Sequence, residues 1–301
     1  MRLKNVFLLS LSVLLFSQPT TNAISYPSPR MSHSYASADQ IHAATFNIRV
    51  GRYASGGRRW DNRQAMVISL LAAEQYDVVG LQEALFFQLN EILNELPQYD
   101  AYAIGRNDEP DKGETCAILY KKNRFYRIDS GTFWFSNSPW EPGSKFAGTL
   151  LPRICSWVRL ADMETTQCFY VYNVHLDNLS QRARTRSMEI LRDAIALRKH
   201  NDPYLVMGDF NMKIDDPAMQ ILQEHKAGGR PPMLDTWAAL YPYRLDEGTY
   251  HKFHGLILGS KIDHILVNSQ AQIIAAAINR REFHGQYPSD HYPVSAVVKL
   301  W

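Results

Sequence analysis

Cysteine is scarce, with three residues among 301: Cys116, Cys155 and Cys168. An odd number leaves at least one thiol unpaired, and each lies in an apolar, strand-like run. They read as small buried hydrophobes, although one bridge stays open to an exported chain. No Cys–His cluster has zinc spacing. There is no Gly-rich phosphate loop and no G-x-S-x-G elbow. The chain is therefore not read as a zinc module, a P-loop nucleotide hydrolase or a serine esterase. Repeats and low-complexity segments are missing too.

Charge of one sign is also lacking. The first 23 residues hold two basic side chains, Arg2 and Lys4; removing them from 32 leaves 30 basic against 30 acidic. That balance argues against a long non-specific nucleic-acid track, which needs a basic surface. Long apolar runs are confined to Val6–Phe16, too short to anchor in a bilayer, so no transmembrane segment is expected. Arg2 and Lys4 before that run, and Thr21 and Ala23 after it, fit a signal peptide at 1–23 and export to the periplasm or beyond. Residues 24–40 read as a loose linker and 41–301 as one domain.

Within that domain, strand-like and helix-like runs alternate. Ala43–Asn47, Asp77–Gln82, Thr115–Tyr120, Phe125–Phe135, Arg153–Leu160, Cys168–Val174, Tyr204–Met207, Ile262–Val267, Ile273–Ile278 and Val294–Leu300 read as strands. Trp60–Gln75, Leu85–Leu96 and Ser180–His200 carry helical periodicity, with a short helix near Ala218–Gln223. Many strands are apolar on both faces, so both faces need cover. Two stacked sheets with outer helices supply it; one doubly wound sheet is the competing architecture.

Polar residues recur where these strands meet loops. Asn47 follows ATF, Glu83 follows VVGLQ, and His175 and Asp177 follow YVYNV. Asp209 and Asn211 close YLVMGDFNM, two apart and so pointing the same way on extended backbone. Asp263 and His264 sit in KIDHILV, and Asp290 and His291 lie in PSDHYPV. Glu83, Asp290 and Asn47 offer hard oxygen ligands, suited to Mg2+ or Mn2+. Such an ion beside two histidines and an Asp-x-Asn pair suits hydrolysis of a phosphate ester.

TFNIR, GLQEA, NVHLD, GDFNM, KIDHILV and PSDHYPV, in this order, resemble the endonuclease/exonuclease/phosphatase superfamily from about Ile41 to Trp301. Trp60-x-x-Arg63 is similar to its deadenylase/nocturnin-like branch. The resemblance implies a four-layer α/β/β/α sandwich and a divalent metal. It implies Glu83 as main metal ligand, with Asp290 and Asn47 completing the shell. It implies Asp209 aligning the attacking water, Asn211 orienting phosphate, His291 as general base held by Asp263, and His175 donating to a phosphoryl oxygen. Whether Asp209 or His291 takes the proton stays open.

Each residue also has a plainer reading. Asn47 fits a loop cap, Glu83 a helix start, His175 a core histidine, and Asp263 a turn. Asn178 with Gln181 fits a helix N-cap box as well as substrate contact beside Asp177. Arg63 and Arg153 fit either phosphate or a salt bridge. In GTFWFSNSPWEPGSKF, Phe133 and Phe135 suit the core, which leaves Trp140 to meet a ligand ring. The expected activity is a secreted, metal-dependent phosphodiesterase acting on a small phosphodiester, nucleotide or nucleic acid. A phosphomonoesterase or sphingomyelinase-like lipid phosphodiesterase is the alternative, and a non-catalytic secreted binding module is the alternative from another class. No protein partner is inferred.

Overall fold

The computed structural model describes residues 37–52, 56–224 and 232–301. The expected signal peptide at 1–23 and linker residues 24–36 lie outside the described residues. The end of that linker is tied to the domain. The Ala38 carbonyl accepts from Arg124 Nη2 at 2.7 Å, and Asp39 pairs with Lys299 at 2.7 Å.

Twelve strands form two six-stranded sheets among the described residues. The first sheet holds β1 (Ile41–Asn47), β2 (Val78–Ala84), β3 (Tyr99–Tyr102), β4 (Thr115–Lys121), β11 (Gln272–Ile278) and β12 (Val294–Lys299). Its order is β11-β12-β1-β2-β4-β3. The second holds β5 (Phe125–Trp134), β6 (Ile154–Asp162), β7 (Cys168–His175), β8 (Tyr204–Asp209), β9 (Met233–Asp235) and β10 (Asp263–Asn268), ordered β5-β6-β7-β8-β10-β9. β1–β2 and β7–β8 are parallel; the other neighbours are antiparallel.

Alternation along each strand builds the layers. From β1, Ile41 and Ala43 join the core between the sheets, together with Val171 of β7, Met207 of β8 and Ile265 of β10. Ala44 and Phe46 face outward, against Val67, Leu70 and Leu71 of α1 (Trp60–Glu74) and Leu89 and Ile92 of α2 (Phe86–Glu95). On the other flank, Tyr170, Tyr172 and Val206 pack on Met188, Leu191 and Ile195 of α3 (Gln181–Ala196). Burial of such side chains, ~1.5–3 kcal/mol each, is what holds helix to sheet. The result is the α/β/β/α sandwich rather than the single doubly wound sheet.

One polar link crosses the core. Asn173 of β7 donates to the carbonyls of Leu81 and Ala117 at 3.0 and 2.8 Å and accepts from Gln82 Nε2 at 2.7 Å. Gly80 makes room for it, since a Cβ there meets the Asn173 amide at 2.9 Å. This pairing fixes one sheet's position on the other at the cost of burying an amide.

Some elements escape the sequence pattern: β3, β9 and the short α5 (Thr236–Leu240) are too brief to show a period. The third helix stops at Ala196 instead of reaching His200, and Leu197 just past its end is exposed. Arg198 folds back to donate to the Ile195 carbonyl at 3.0 Å, which satisfies a helix-end acceptor. None of the described helices is long and apolar enough to cross a membrane.

Candidate active site

Alternation carries polar residues from the core faces to one edge of the sandwich. In β8, Leu205 and Met207 face inward, and Asp209 comes next on that side. Val171, Asn173 and His175 of β7 do the same, as do Val267, Ile265 and Asp263 of β10. The strand register pairs His175 with Asp209 and Asp209 with Asp263, so three side chains stand in a row. Gly208 lets this happen: its φ is 151°, and a Cβ there meets the Val174 carbonyl at 2.1 Å.

The first sheet contributes Asn47, two past Thr45 on the inner side. Glu83 breaks the pattern. Val79 and Leu81 face the helices, so strict alternation sends Glu83 outward too. A register shift between Gln82 and Ala84, with Glu83 at φ 60°, turns it into the site. Arg49 (φ 59°) and Asn211 (φ 52°) are also left-handed. Non-glycine residues in this region cost on the order of 1–3 kcal/mol each, and such strain gathers at functional sites.

Asn47 bridges two carboxylates, donating to Glu83 Oε1 at 3.2 Å and Asp209 Oδ2 at 3.0 Å. Its own oxygen accepts from the Arg49 N–H at 3.0 Å, so ligation of an ion falls to its second lone pair. Glu83 Oε2 accepts from the Val50 N–H at 2.9 Å. Glu83 and Asp290 face one guanidinium, that of Arg49, at 3.7 and 3.8 Å. Asn211 donates from its backbone to Asp209 Oδ1 and from Nδ2 to the Leu176 carbonyl, which leaves one amide hydrogen for the cavity.

Two groups of side chains converge closely enough to hold a cation: Glu83, Glu114 and His175, and Asp209, Asp263 and His291, with donor atoms within 4.8 Å of one another in each. Asp263 Oδ1, buried, has no hydrogen-bond partner among the described residues. Hard oxygen donors with one imidazole fit Mg2+ or Mn2+ better than a thiol-seeking ion. Glu114 was not singled out by sequence. It lies just before β4 and pairs with Arg106 at 2.6 Å, and burial raises its pKa.

Electrostatics divides the roles. Burial, and then the Asp263 charge, push Asp209 up to about 7. Burial opposes the charged form of His291, but Asp263, Asp209 and Asp290 outweigh it and hold its pKa at about 10. Asp263 Oδ2 accepts a hydrogen bond from His291 Nδ1–H at 2.9 Å. With Nδ1–H held by Asp263, Nε2–H of the protonated imidazole faces Asp209 Oδ2, 3.8 Å away. His175 goes the other way: burial, Arg153 and Arg106 keep it neutral. Arg153 Nη1 lies 2.9 Å from His175 Nε2, and a guanidinium only donates, so Nε2 accepts. The expectation that His175 donates to a phosphoryl oxygen is corrected on that ground.

Glu83, Glu114, His175, Asp209 and His291 line a cavity of about 450 Å3, which also takes in Arg153, Asp177, Asn211 and Tyr250; Asn47, Asp263 and Asp290 are outside its lining. Asp177 spends Oδ1 on the N–H groups of Leu179 and Ser180, at 3.0 and 2.7 Å. Ser180, not Asn178, caps α3, and Asn178 Oδ1 accepts from Arg153 Nη2 at 3.2 Å. Two expected substrate contacts are corrected. Arg63 is 0% exposed and donates to the carbonyls of Arg58, Ile48, Pro288 and Arg49, at 2.6–3.2 Å. It braces the two loops that carry Arg49 and Asp290. Trp140 is 74% exposed, leans its edge on Phe133 and lies off the cavity lining. Sequence missed Arg49, Arg106, Glu114 and Tyr250. Arg49 stands inside TFNIR, and Glu114 sits at a strand start as the other acids do; Arg106 carries no local signal.

The model of the Endonuclease/Exonuclease/phosphatase family matches residues 44–291. Among solved structures, the chain is similar to the mannosyl-6-phosphatase of Bacteroides thetaiotaomicron: 28% identity, TM-score 0.75, covering 86% of this chain and 99% of that one. It is similar also to a family protein of Bacteroides vulgatus: 28% identity, TM-score 0.78, covering 87% and 99%. The human nocturnin catalytic domain shares the fold at 16% identity, TM-score 0.67, covering 87% and 95%. Among curated proteins, uncharacterized protein L388 of Acanthamoeba polyphaga mimivirus is 24% identical over 160 residues, which cover 51% of this chain and 59% of that protein. The chain belongs to the endonuclease/exonuclease/phosphatase family and is, as its members are, a divalent-metal-dependent hydrolase of phosphate esters.

Proposed function

We propose that the chain is an exported, Mg2+- or Mn2+-dependent phosphatase of small phosphate monoesters. The carrying observation is the pair of buried guanidinium groups, Arg106 and Arg153, on the cavity that holds both acidic clusters. Cations held at a cavity wall suit a terminal phosphoryl group with two negative charges. The similar mannosyl-6-phosphatase of B. thetaiotaomicron supports the same choice. Monoesters thus move ahead of the phosphodiesters that the sequence puts first.

In this proposal Glu83 and Glu114 would hold the ion, with His175 kept in place by Arg153 and Asp290 behind Arg49. An ion held there would supply positive charge to neutralise the phosphoryl oxygens. Asp209, poised near neutrality, orients the water and takes its proton. His291 donates to a phosphoryl oxygen while Asp263 keeps its tautomer and orientation. Arg153 and Arg106 hold the remaining oxygens.

The test is hydrolysis by chelator-stripped protein, with and without Mn2+, of a panel of sugar, alkyl and aryl phosphate monoesters and of bis-(p-nitrophenyl) phosphate. Expected are metal-restored turnover of monoesters and a fall of roughly 100-fold in kcat/KM for Arg153→Met. Turnover of the diester alone returns the function to a phosphodiesterase; turnover of nothing ends the proposal. Export predicts that mature protein outside the cytoplasm begins at Ile24, read by N-terminal sequencing.

A further inference from the structure

The cavity has two chemistries. Its floor is charged, and its mouth carries a group of exposed leucines beside Arg49 and Asn178. Leu150 and Leu179 are 71% and 69% exposed, Leu151 is 45% exposed, and all three line the cavity. They stand on the loops that carry the cationic and acidic groups: Leu151 is two residues before Arg153, and Leu179 two after Asp177. Tyr250 also lines the cavity, 41% exposed, its ring 4.9 Å from that of His291. Exposed apolar side chains gathered at a polar cavity mark a binding surface rather than chance. Two of the polar atoms nearest the leucines are engaged within the protein: Asn178 Oδ1 with Arg153, and Asp177 Oδ1 with two N–H groups. A cavity of about 450 Å3 is also in the range of sites that take a whole small molecule, more than a phosphoryl group alone.

We infer that Leu150, Leu151, Leu179 and Tyr250 form the subsite for the alcohol part of the ester, and that it selects a soluble ester with an apolar or aromatic group next to the phosphate. This inference rests on the phosphate site proposed above. The charged floor takes the phosphoryl oxygens, and the ring or alkyl chain covers the leucines at the mouth. A hydroxyl-rich alcohol leaves its hydroxyls against leucine methyls and loses water contacts without replacement.

Binding of non-hydrolysable phosphonates tests this without turnover. Calorimetry with Mn2+ compares 2-phenylethylphosphonate with methylphosphonate, in the wild type and in Leu150→Ser/Leu179→Ser. Both positions are exposed, so the fold tolerates the change, and an unaltered Tm verifies it. The wild type is expected to bind the phenyl compound about 10-fold more tightly, worth ~1.4 kcal/mol. The double variant is expected to keep less than threefold. Equal binding in the wild type, or an advantage unchanged in the variant, overturns the subsite and leaves the phosphatase proposal standing. Binding of neither compound removes the phosphate site itself and overturns both. Sedimentation with phosphatidylcholine vesicles that is lost in the double variant overturns the assignment to a soluble ester, because the leucines then serve a lipid surface.

Discussion

Strand β10 begins with Asp263 and His264, neighbours in sequence that face opposite sides of the sheet and enter two different clusters. Toward the cavity, Asp263 holds His291 at 2.9 Å, with Asp209 Oδ2 lying 3.8 Å from His291 Nε2. Behind the sheet, His264 Nδ1 lies 2.7 Å from Asp235 Oδ2, and Lys261 Nζ is 3.2 Å from the same oxygen. His264 Nε2 donates to the Met212 carbonyl at 3.0 Å, and Asp235 Oδ1 accepts from the Ala238 N–H at 2.7 Å. In the rear cluster burial opposes the Asp235 charge, yet Lys261 and His264 hold its pKa far below the usual carboxylate range. In the front cluster Asp209 is pushed up to about 7 and Asp263 Oδ1 is unpartnered among the described residues. Two buried Asp–His pairs thus sit on one strand. One is satisfied and holds the fold; the other is short of positive charge and is where an ion and a reacting phosphate fit.

The contrast can be broken from the front first. Asp209→Asn removes the excess negative charge and the proton acceptor together. Ester hydrolysis is expected to fall by roughly 1,000-fold in kcat/KM. The Tm of the chelated protein is expected to hold or rise, since a carboxylate facing Asp263 is gone. A lower Tm shows that the front cluster stabilises the fold after all.

From the rear, Asp235→Ala leaves Lys261 buried without its counter-charge. Unfolding in urea is expected to show a loss of about 3–5 kcal/mol. The kcat of protein that remains folded is expected to change little, because no rear side chain reaches the cavity. A large loss of kcat at unchanged stability rejects the division of labour.

Acidity sharpens the same comparison. Asp209 in the fold keeps a proton that the unfolded chain releases above ~4, so its contribution to stability is lost as pH rises toward 7. His291, at about 10 in the fold, adds a loss of the same sign from ~6.5 upward. Asp235 has the opposite sign: its contribution is present above the ordinary carboxylate range and disappears on acidification below it. The Tm of chelated protein is therefore expected to decline as pH rises from 5 to 9, and to decline less in Asp209→Asn. A flat profile removes the charge imbalance at the front.

The smallest effect is expected outside both clusters. Trp140→Ala, off the cavity lining, is expected to change kcat/KM by less than about twofold on the ester panel. A larger loss restores the aromatic ligand contact that its sequence neighbourhood favours.

Much of the site is legible because strands alternate. Once β1, β7, β8 and β10 are recognised, Asn47, His175, Asp209 and Asp263 follow on the inner faces without any knowledge of their partners. Arg63 and Trp140 are misleading for a shared reason. An arginine in an amphipathic helix and a tryptophan in an aromatic loop look available in sequence, and only long-range contacts say otherwise. Arg63 is taken up by the carbonyl of Pro288, 225 positions away. Arg106 and Glu114 are hard to find because each belongs to the site through the other and through Arg153 and His175, none of them local.

By itself the sequence determined which strands are buried on both faces and which polar residues end them, because side-chain direction on extended backbone depends only on parity. Tertiary structure decided the rest. It turned Glu83 inward through a bulge in β2, set the two sheets so that their polar ends meet, and left Asp209 without a full complement of cations. Those outcomes depend on the register between strands and on burial, and both arise only when distant segments pack together.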